Sequence, residues 1–218
     1  MPNNERKLMT EELIDIYDEN MNPIGTAPRS QVHKEGLWHK AFHCWIARNN
    51  KVIFQQRSFQ KIESPGLLGV SAAGHLSTGE APKDGIREIE EELGIKVDFD
   101  KLTKLYTGTH AGNKNNYINN EFNPTYLLES EIDLAELKLQ PEEVDGIYEA
   151  EVENILKLFR GEVNFIKLSG YKRTAENSLE KSEIKVKRED FEPKGSEFYI
   201  KAMETIKRYF NGQKTFEN

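Results

Sequence analysis

The chain has 218 residues, 37% of them hydrophobic and 31% charged, with a net charge of -7; that is enough for one large domain with a proper core and too apolar for disorder. The acidic balance speaks against a nucleic-acid partner, which usually meets a basic face, and against attraction to anionic lipid. The stretch MPNNERKLMTEE is too polar for a signal peptide, no apolar run nears the roughly 18 residues of a membrane span, and the single cysteine, Cys44, rules out an internal disulfide and fits a reducing cytoplasm.

Residues 12–25 alternate apolar and polar side chains and then meet Asn22-Pro23, predicting a strand that enters a turn. AFHCWIA (41–47) and KVIFQQR (51–57) predict two strands of a hairpin joined at Asn49-Asn50. PGLLGVSAAGHLSTGE (65–80) reads as a strand followed by a glycine-rich loop. From about Pro82 to Leu93 the period becomes helical: Ile86, Ile89 and Leu93 form a stripe, Pro82 suits the first turn and Gly94 ends the helix.

KLTKLYTGTHA (101–111) and EFNPTYLLES (121–130) predict further strands, and 141–161 a strand around Gly146–Glu149 followed by an amphipathic helix. In the polar stretch 170–190, Lys181–Arg188 reads as a solvated strand, and 198–210 as a helix. Strands around one charged helix, with helices following, make a mixed α+β or α/β/α arrangement. One domain is expected, with a core over about 11–160 and a helical extension over about 161–218 that covers the site or pairs with a partner subunit. Trp45, Phe42 and Phe54 are expected in the core, Trp38 in the core or on a pocket wall, and His43, between apolar neighbours, as a hydrogen-bonded structural residue.

The predicted central helix carries Glu88, Glu90, Glu91 and Glu92 within five positions. Like charges at this spacing cost a helix roughly 0.2–0.5 kcal/mol per pair. Runs of glutamate are most often solvated surface, but Glu88, Glu91 and Glu92 share a face away from the apolar stripe. Converging carboxylates suit a hard cation such as Mg²⁺ or Mn²⁺, which relieves their repulsion. Arg87 is placed to pair with a loop carboxylate such as Glu80.

In order, Gly74, Glu80, Arg87, Glu88, Ile89, Glu91, Glu92, Gly94 and Ile95 resemble the Nudix box, G-x5-E-x7-R-E-U-x-E-E-x-G-U with U aliphatic. One departure is plain: six residues, APKDGI, separate Glu80 from Arg87 instead of seven, a shortening that falls where loop meets helix and leaves the triplet intact. The resemblance implies a Nudix α/β/α sandwich and hydrolysis of a diphosphate linked to another moiety. It implies a metal held by Glu88, Glu91 and Glu92, with His75 directly beside Gly74 a further ligand, and a glutamate of the box or of a distant loop as base. Glu91, Glu92, Arg87 and Glu121 are the catalytic candidates, Arg57, His33 and His39 the substrate-binding ones. Mg²⁺ is the expected ion, with Mn²⁺ the alternative.

Val32 through Trp45, VSAAGHL (70–76) and INNEFNP (118–124) resemble type I isopentenyl-diphosphate isomerase. That family shares the fold but moves a double bond, binds a metal through three histidines and two glutamates, and uses a cysteine just before a glycine-histidine pair. By resemblance His33, His39 and His75 stand at the histidine positions and Glu121 at the catalytic glutamate, while Ala73 replaces the cysteine and Asn119 the remaining glutamate. Alanine neither donates nor accepts a proton, so a hydrolase of nucleoside-diphosphate-linked compounds or related organic diphosphates is the leading expectation. The isomerase-like enzyme is the alternative. A binding protein that has lost catalysis has little support with all three glutamates present. The expected partner is a small-molecule diphosphate; no nucleic acid or membrane is expected, and a homodimer is allowed but not required.

Overall fold

The computed structural model describes residues 11–114 and 117–216. β1 (Leu13–Tyr17) and β2 (Pro23–Pro28) form a hairpin. The Asp18 carboxylate closes its turn by accepting from the Asn20 and Asn22 amides at 2.9 and 2.8 Å. α1 (Arg29–Glu35) follows and is ended by Gly36 at φ 68°. With seven residues and only Val32 and His33 buried, it is too short to show a helical period, and the sequence pattern did not predict it.

Next come β3 (Trp38–Arg48) and β4 (Lys51–Arg57). Asn49 and Asn50 between them have positive φ, 46° and 62°, the turn geometry whose twist matches an antiparallel pair. β5 (Leu68–Gly69) and β6 (Ala72–His75) are short, and α2 (Arg87–Leu93) ends on Gly94 at φ 72°. Pro82 is not in its first turn. It sits in a turn before a 3-10 segment, Asp84–Ile86, and the Asp84 carboxylate there accepts from the Ala81 amide at 2.8 Å. β7 (Leu102–Lys114), β8 (Tyr117–Glu129), β9 (Val144–Glu151) and α3 (Val152–Phe159) complete the middle of the chain. The remainder is a hairpin of β10 (Ile166–Arg173) and β11 (Leu179–Val186), then α4 (Ser196–Phe210), so it is strand as well as helix.

The sheet is mixed around β3. One edge of β3 is antiparallel to β4 and β6, and the other is parallel to β8, in a register that sets His39 opposite Glu121. β7 lies antiparallel to β8 and sets His110 against the same glutamate. Alternation along β3 sorts its side chains between two faces. Phe42, Cys44 and Ile46 pack with Ile89 and Leu93 of α2, whereas Trp45 and Ala47 pack with residues of α3 and α4. The layers are therefore helix, sheet, helices. None of the helices among the described residues is long and apolar enough to cross a membrane.

α4 buries Tyr199, Met203 and Ile206. Each large apolar side chain contributes about 1.5–3 kcal/mol on burial, so the segment leading into α4 is tied to the domain.

Candidate functional site

α2 projects its carboxylates toward β6. Arg87 organises them: Nε and Nη2 donate to the two oxygens of Glu80 at 2.9 and 3.0 Å, and Nη2 also donates to the His75 carbonyl at 3.0 Å. The six-residue spacing still closes a two-pronged arginine–carboxylate pair, with a 3-10 turn, Asp84–Ile86, leading directly into Arg87. Nη1 meets Glu88 and, at 3.3 Å, Glu91.

The Glu88 carboxyl lies against Gly74, where an added Cβ would collide with it; glycine is needed for that close approach. Burial pushes the Glu88 carboxyl up to about 7, with Arg87 opposing and Glu91 adding to the rise. Glu92 is buried and accepts from the Ala73 amide at 3.0 Å and from Gln55 at 3.2 Å. Burial first, then Glu88, raises its carboxyl well above the ordinary range. Glu91 is the exposed member. Glu143, in the turn before β9, adds to the rise at both Glu88 and Glu92.

A second set of donors lies beside the first. Gly74 and His75 are successive residues of a strand and face opposite sides. His75 turns toward His39, at the start of β3, and His33, on α1. Ring nitrogens of these three lie within 4.8 Å of one another, and among the described residues they are the one cluster of three or more metal-ligating groups that close. Glu88, Glu91 and Glu92 share a helix but do not converge so tightly.

His33 and His39 are 3% and 0% exposed. His39 Nδ1 is 3.0 Å from the Leu37 carbonyl; donating there leaves Nε2 with a free lone pair. Burial is the main cause that lowers all three histidines, His33 to about 4 and His75 well below its usual range, so they are neutral at pH 7. Neutral imidazoles are metal ligands.

Glu121 closes this side. Oε1 accepts from Asn119 at 2.8 Å, and Oε2 from Asn123 at 3.1 Å and Lys194 at 3.3 Å, while His75 Nε2 stands 3.9 Å away. Burial alone would raise its carboxyl, but Lys194 above all, with His75, His43 and His39, holds it well below the usual range. Of ten buried side-chain polar atoms without a partner among the described residues, seven belong to His33, His39, His43, His75, Asn119 and Asn123. Buried polar groups are normally satisfied. Orphans gathered in one place, with a full histidine set among them, fit a bound divalent cation or polar ligand.

Arg57, at the end of β4, donates to the Glu63 carbonyl at 3.2 Å and lies 3.6 Å from Glu192. His43 is buried and 3.3 Å from the Asn123 amide. Tyr117 stacks on His33 at 4.2 Å. Trp38 stacks on Phe122 at 4.7 Å. Cys44 faces the α2 side, in register with Ala72, and burial pushes its thiol up; it does not stand in for Ala73. Lys194, Asn123 and Glu143 were missed in sequence because each is an isolated residue in a stretch without a motif.

Residues 37–167 match the model of the NUDIX domain. An uncharacterized Nudix hydrolase of Clostridium acetobutylicum is 30% identical over 195 residues, 88% of this chain and 95% of that protein. Nudix hydrolase 3 of Arabidopsis thaliana is 36% identical over 147 residues, 64% of this chain but 19% of that longer protein. An isopentenyl-diphosphate Delta-isomerase of Corynebacterium diphtheriae is 40% identical over 91 residues, 40% of this chain and 49% of the isomerase. Among solved structures, DR0079 from Deinococcus radiodurans superimposes with a TM-score of 0.55 at 20% identity, over 69% of this chain and 90% of that one; it shares the fold.

Proposed function

The chain belongs to the Nudix family, and from that premise we propose that it is a Mg²⁺-dependent pyrophosphohydrolase, with Mn²⁺ the alternative ion, acting on a nucleoside diphosphate linked to another moiety or on a related organic diphosphate in the cytoplasm. The observation that supports it best is the α2 assembly, in which Arg87 is locked to Glu80, half-buried Glu88 lies against Gly74 and buried Glu92 accepts from the Ala73 amide. Glu88, Glu91 and Glu92 would hold the ion; His75, expected as a fourth ligand, faces the other side of β6 and belongs with His33 and His39 instead. The ion supplies positive charge at the phosphoryl oxygens and favours deprotonation of the attacking water.

The rest is done by the chain's own groups. Arg87 positions the glutamates. Arg57 binds a phosphate oxygen from the end of β4. Glu91 or Glu92 takes the proton of the water. His33 and His39 join His75 as a second cation-binding set facing the substrate. Glu121, whose oxygens already accept from Asn119, Asn123 and Lys194, acts as a fixed anion beside His75 rather than as a mobile base.

One observation favours a second reading: the three clustered histidines beside Glu121 are what an isomerase of isopentenyl diphosphate by resemblance requires. Ala73 and Asn119 deprive it of the thiol and a carboxylate. Cleavage of the diphosphate bond, followed as the phosphomonoester products, across a panel of nucleoside-diphosphate-linked compounds and isoprenoid diphosphates, with Mg²⁺ or Mn²⁺, tests both. Metal-dependent cleavage that Glu91→Gln and Glu92→Gln each reduce by at least about a hundredfold is the expected result. Conversion of isopentenyl diphosphate to its allylic isomer with no cleavage would establish the second reading instead.

A further inference from the structure

The segment after residue 167, outside the matched domain, sends one residue into the site. Between β11 and α4 the backbone is pinned by Phe191, 2% exposed, and by the Glu192 amide donating to the Leu68 carbonyl at 2.9 Å. The Glu192 carbonyl also accepts from the Tyr199 hydroxyl at 3.0 Å. This fixes Lys194 with its side chain only 10% exposed and its Nζ 3.3 Å from Glu121 Oε2.

An ammonium has three N–H donors. Glu121 takes one, at a long distance, and among the described residues no other acceptor meets Nζ; the ring of Phe198 lies 5.7 Å away. A buried charge with spare donors is costly unless something fills them. Around it are neutral histidines, and Glu192 and Arg57, 3.6 Å from each other, are both close enough to act electrostatically on the Lys194 ammonium. A fixed cation with unused donors, within electrostatic reach of an arginine, suits the oxygens of a phosphoryl group.

We propose that Lys194 is a substrate-contacting residue, brought in by the carboxy-terminal segment, whose free N–H groups bind the diphosphate of the substrate opposite Arg57. The proposal rests on the reading of the site as a diphosphate site. The C-terminal hairpin and α4 then complete the active site rather than decorate it.

Calorimetric titration of the full chain with inorganic diphosphate, with and without Mg²⁺, tests it. Lys194→Met should weaken binding by about 10- to 100-fold, the range of one lost charged hydrogen bond. Lys194→Arg, which keeps the charge, should stay within about threefold. The double variant Lys194→Met/Glu121→Gln removes both charges, so it guards against misfolding from an unpaired glutamate and should remain weak. Lys201→Met, an exposed cation elsewhere on α4, should bind as wild type.

The proposal is overturned if wild type does not bind diphosphate, if Lys194→Met binds as tightly as wild type, or if the double variant recovers full affinity. Hydrolysis measured alongside separates the two readings. Lys194-dependent binding without turnover of any diphosphate would sink the hydrolase and leave Lys194 standing. Turnover by Lys194→Met with KM unchanged would do the reverse.

Discussion

The two donor sets that abut across β6 are built on opposite principles. The glutamate set is local: Glu80, Arg87, Glu88, Glu91 and Glu92 fall within 13 consecutive residues, and a single arginine gathers most of them. The histidine set is assembled from α1, β3, β6 and β8, with a lysine from far along the chain. Burial also acts on them with opposite signs. It raises the carboxyls of Glu88 and Glu92 and lowers the imidazoles of His33, His39 and His75. Both shifts follow from one cause, since a poorly solvated site penalises whichever form is charged. The outcome differs: one set holds protons that a bound cation would displace, the other offers neutral lone pairs.

Removing Arg87 should break the local set most severely. Arg87→Ala frees Glu80 and leaves Glu88 without its donor. We expect at least about a hundredfold loss of kcat and, by urea unfolding, about 2–3 kcal/mol of lost stability.

Acid titration separates the sets by sign. His33 has its pKa depressed to about 4, so its neutral form contributes stability that is present above the unfolded value near 6.5 and lost as pH falls toward about 4. Glu88 is raised to about 7. Its protonated form contributes stability that is present below the unfolded value near 4.5 and lost as pH rises through about 7. Each effect is on the order of 3–4 kcal/mol, because the folded and unfolded values differ by about 2.5 pH units at roughly 1.4 kcal/mol per unit. In chelator-treated protein, stability against pH should lose its acid-side fall in His33→Asn and its fall toward neutrality in Glu88→Gln. Parallel curves for both variants and wild type would remove the contrast.

Gly74→Ala probes the junction. Its Cβ would collide with the Glu88 carboxyl, so we expect a cost of about 1–3 kcal/mol and loss of the Mg²⁺-induced rise in Tm, while Zn²⁺ stabilisation through the histidines persists. The smallest effect is expected at Cys44. Cys44→Ala should cost about 1 kcal/mol of stability and leave turnover unchanged, because the thiol faces the α2 side of the sheet.

Much of the fold follows from patterns of short range. The Asn49-Asn50 hairpin, the Ile86/Ile89/Leu93 stripe and the glycine stop at Gly94 are each contained in a few residues, where turn chemistry and periodicity act directly. α1 is invisible to pattern because seven residues carry no period, and α2 starts later than the stripe predicts because Pro82 lies in a turn and Asp84–Ile86 form a 3-10 segment before Arg87.

The same division holds at the site. The sequence by itself determined the acidic helix and its arginine, since helical spacing alone puts Glu88, Glu91 and Glu92 on one face. Only the tertiary structure decided that Glu92 is buried and Glu88 half-buried while Glu91 is exposed, that three histidines 42 residues apart at their extremes share one centre, and that Lys194 reaches Glu121. Those contacts depend on strand register and on the docking of α4. Both are set by burial of apolar faces from the whole chain, a quantity that no local stretch of residues carries.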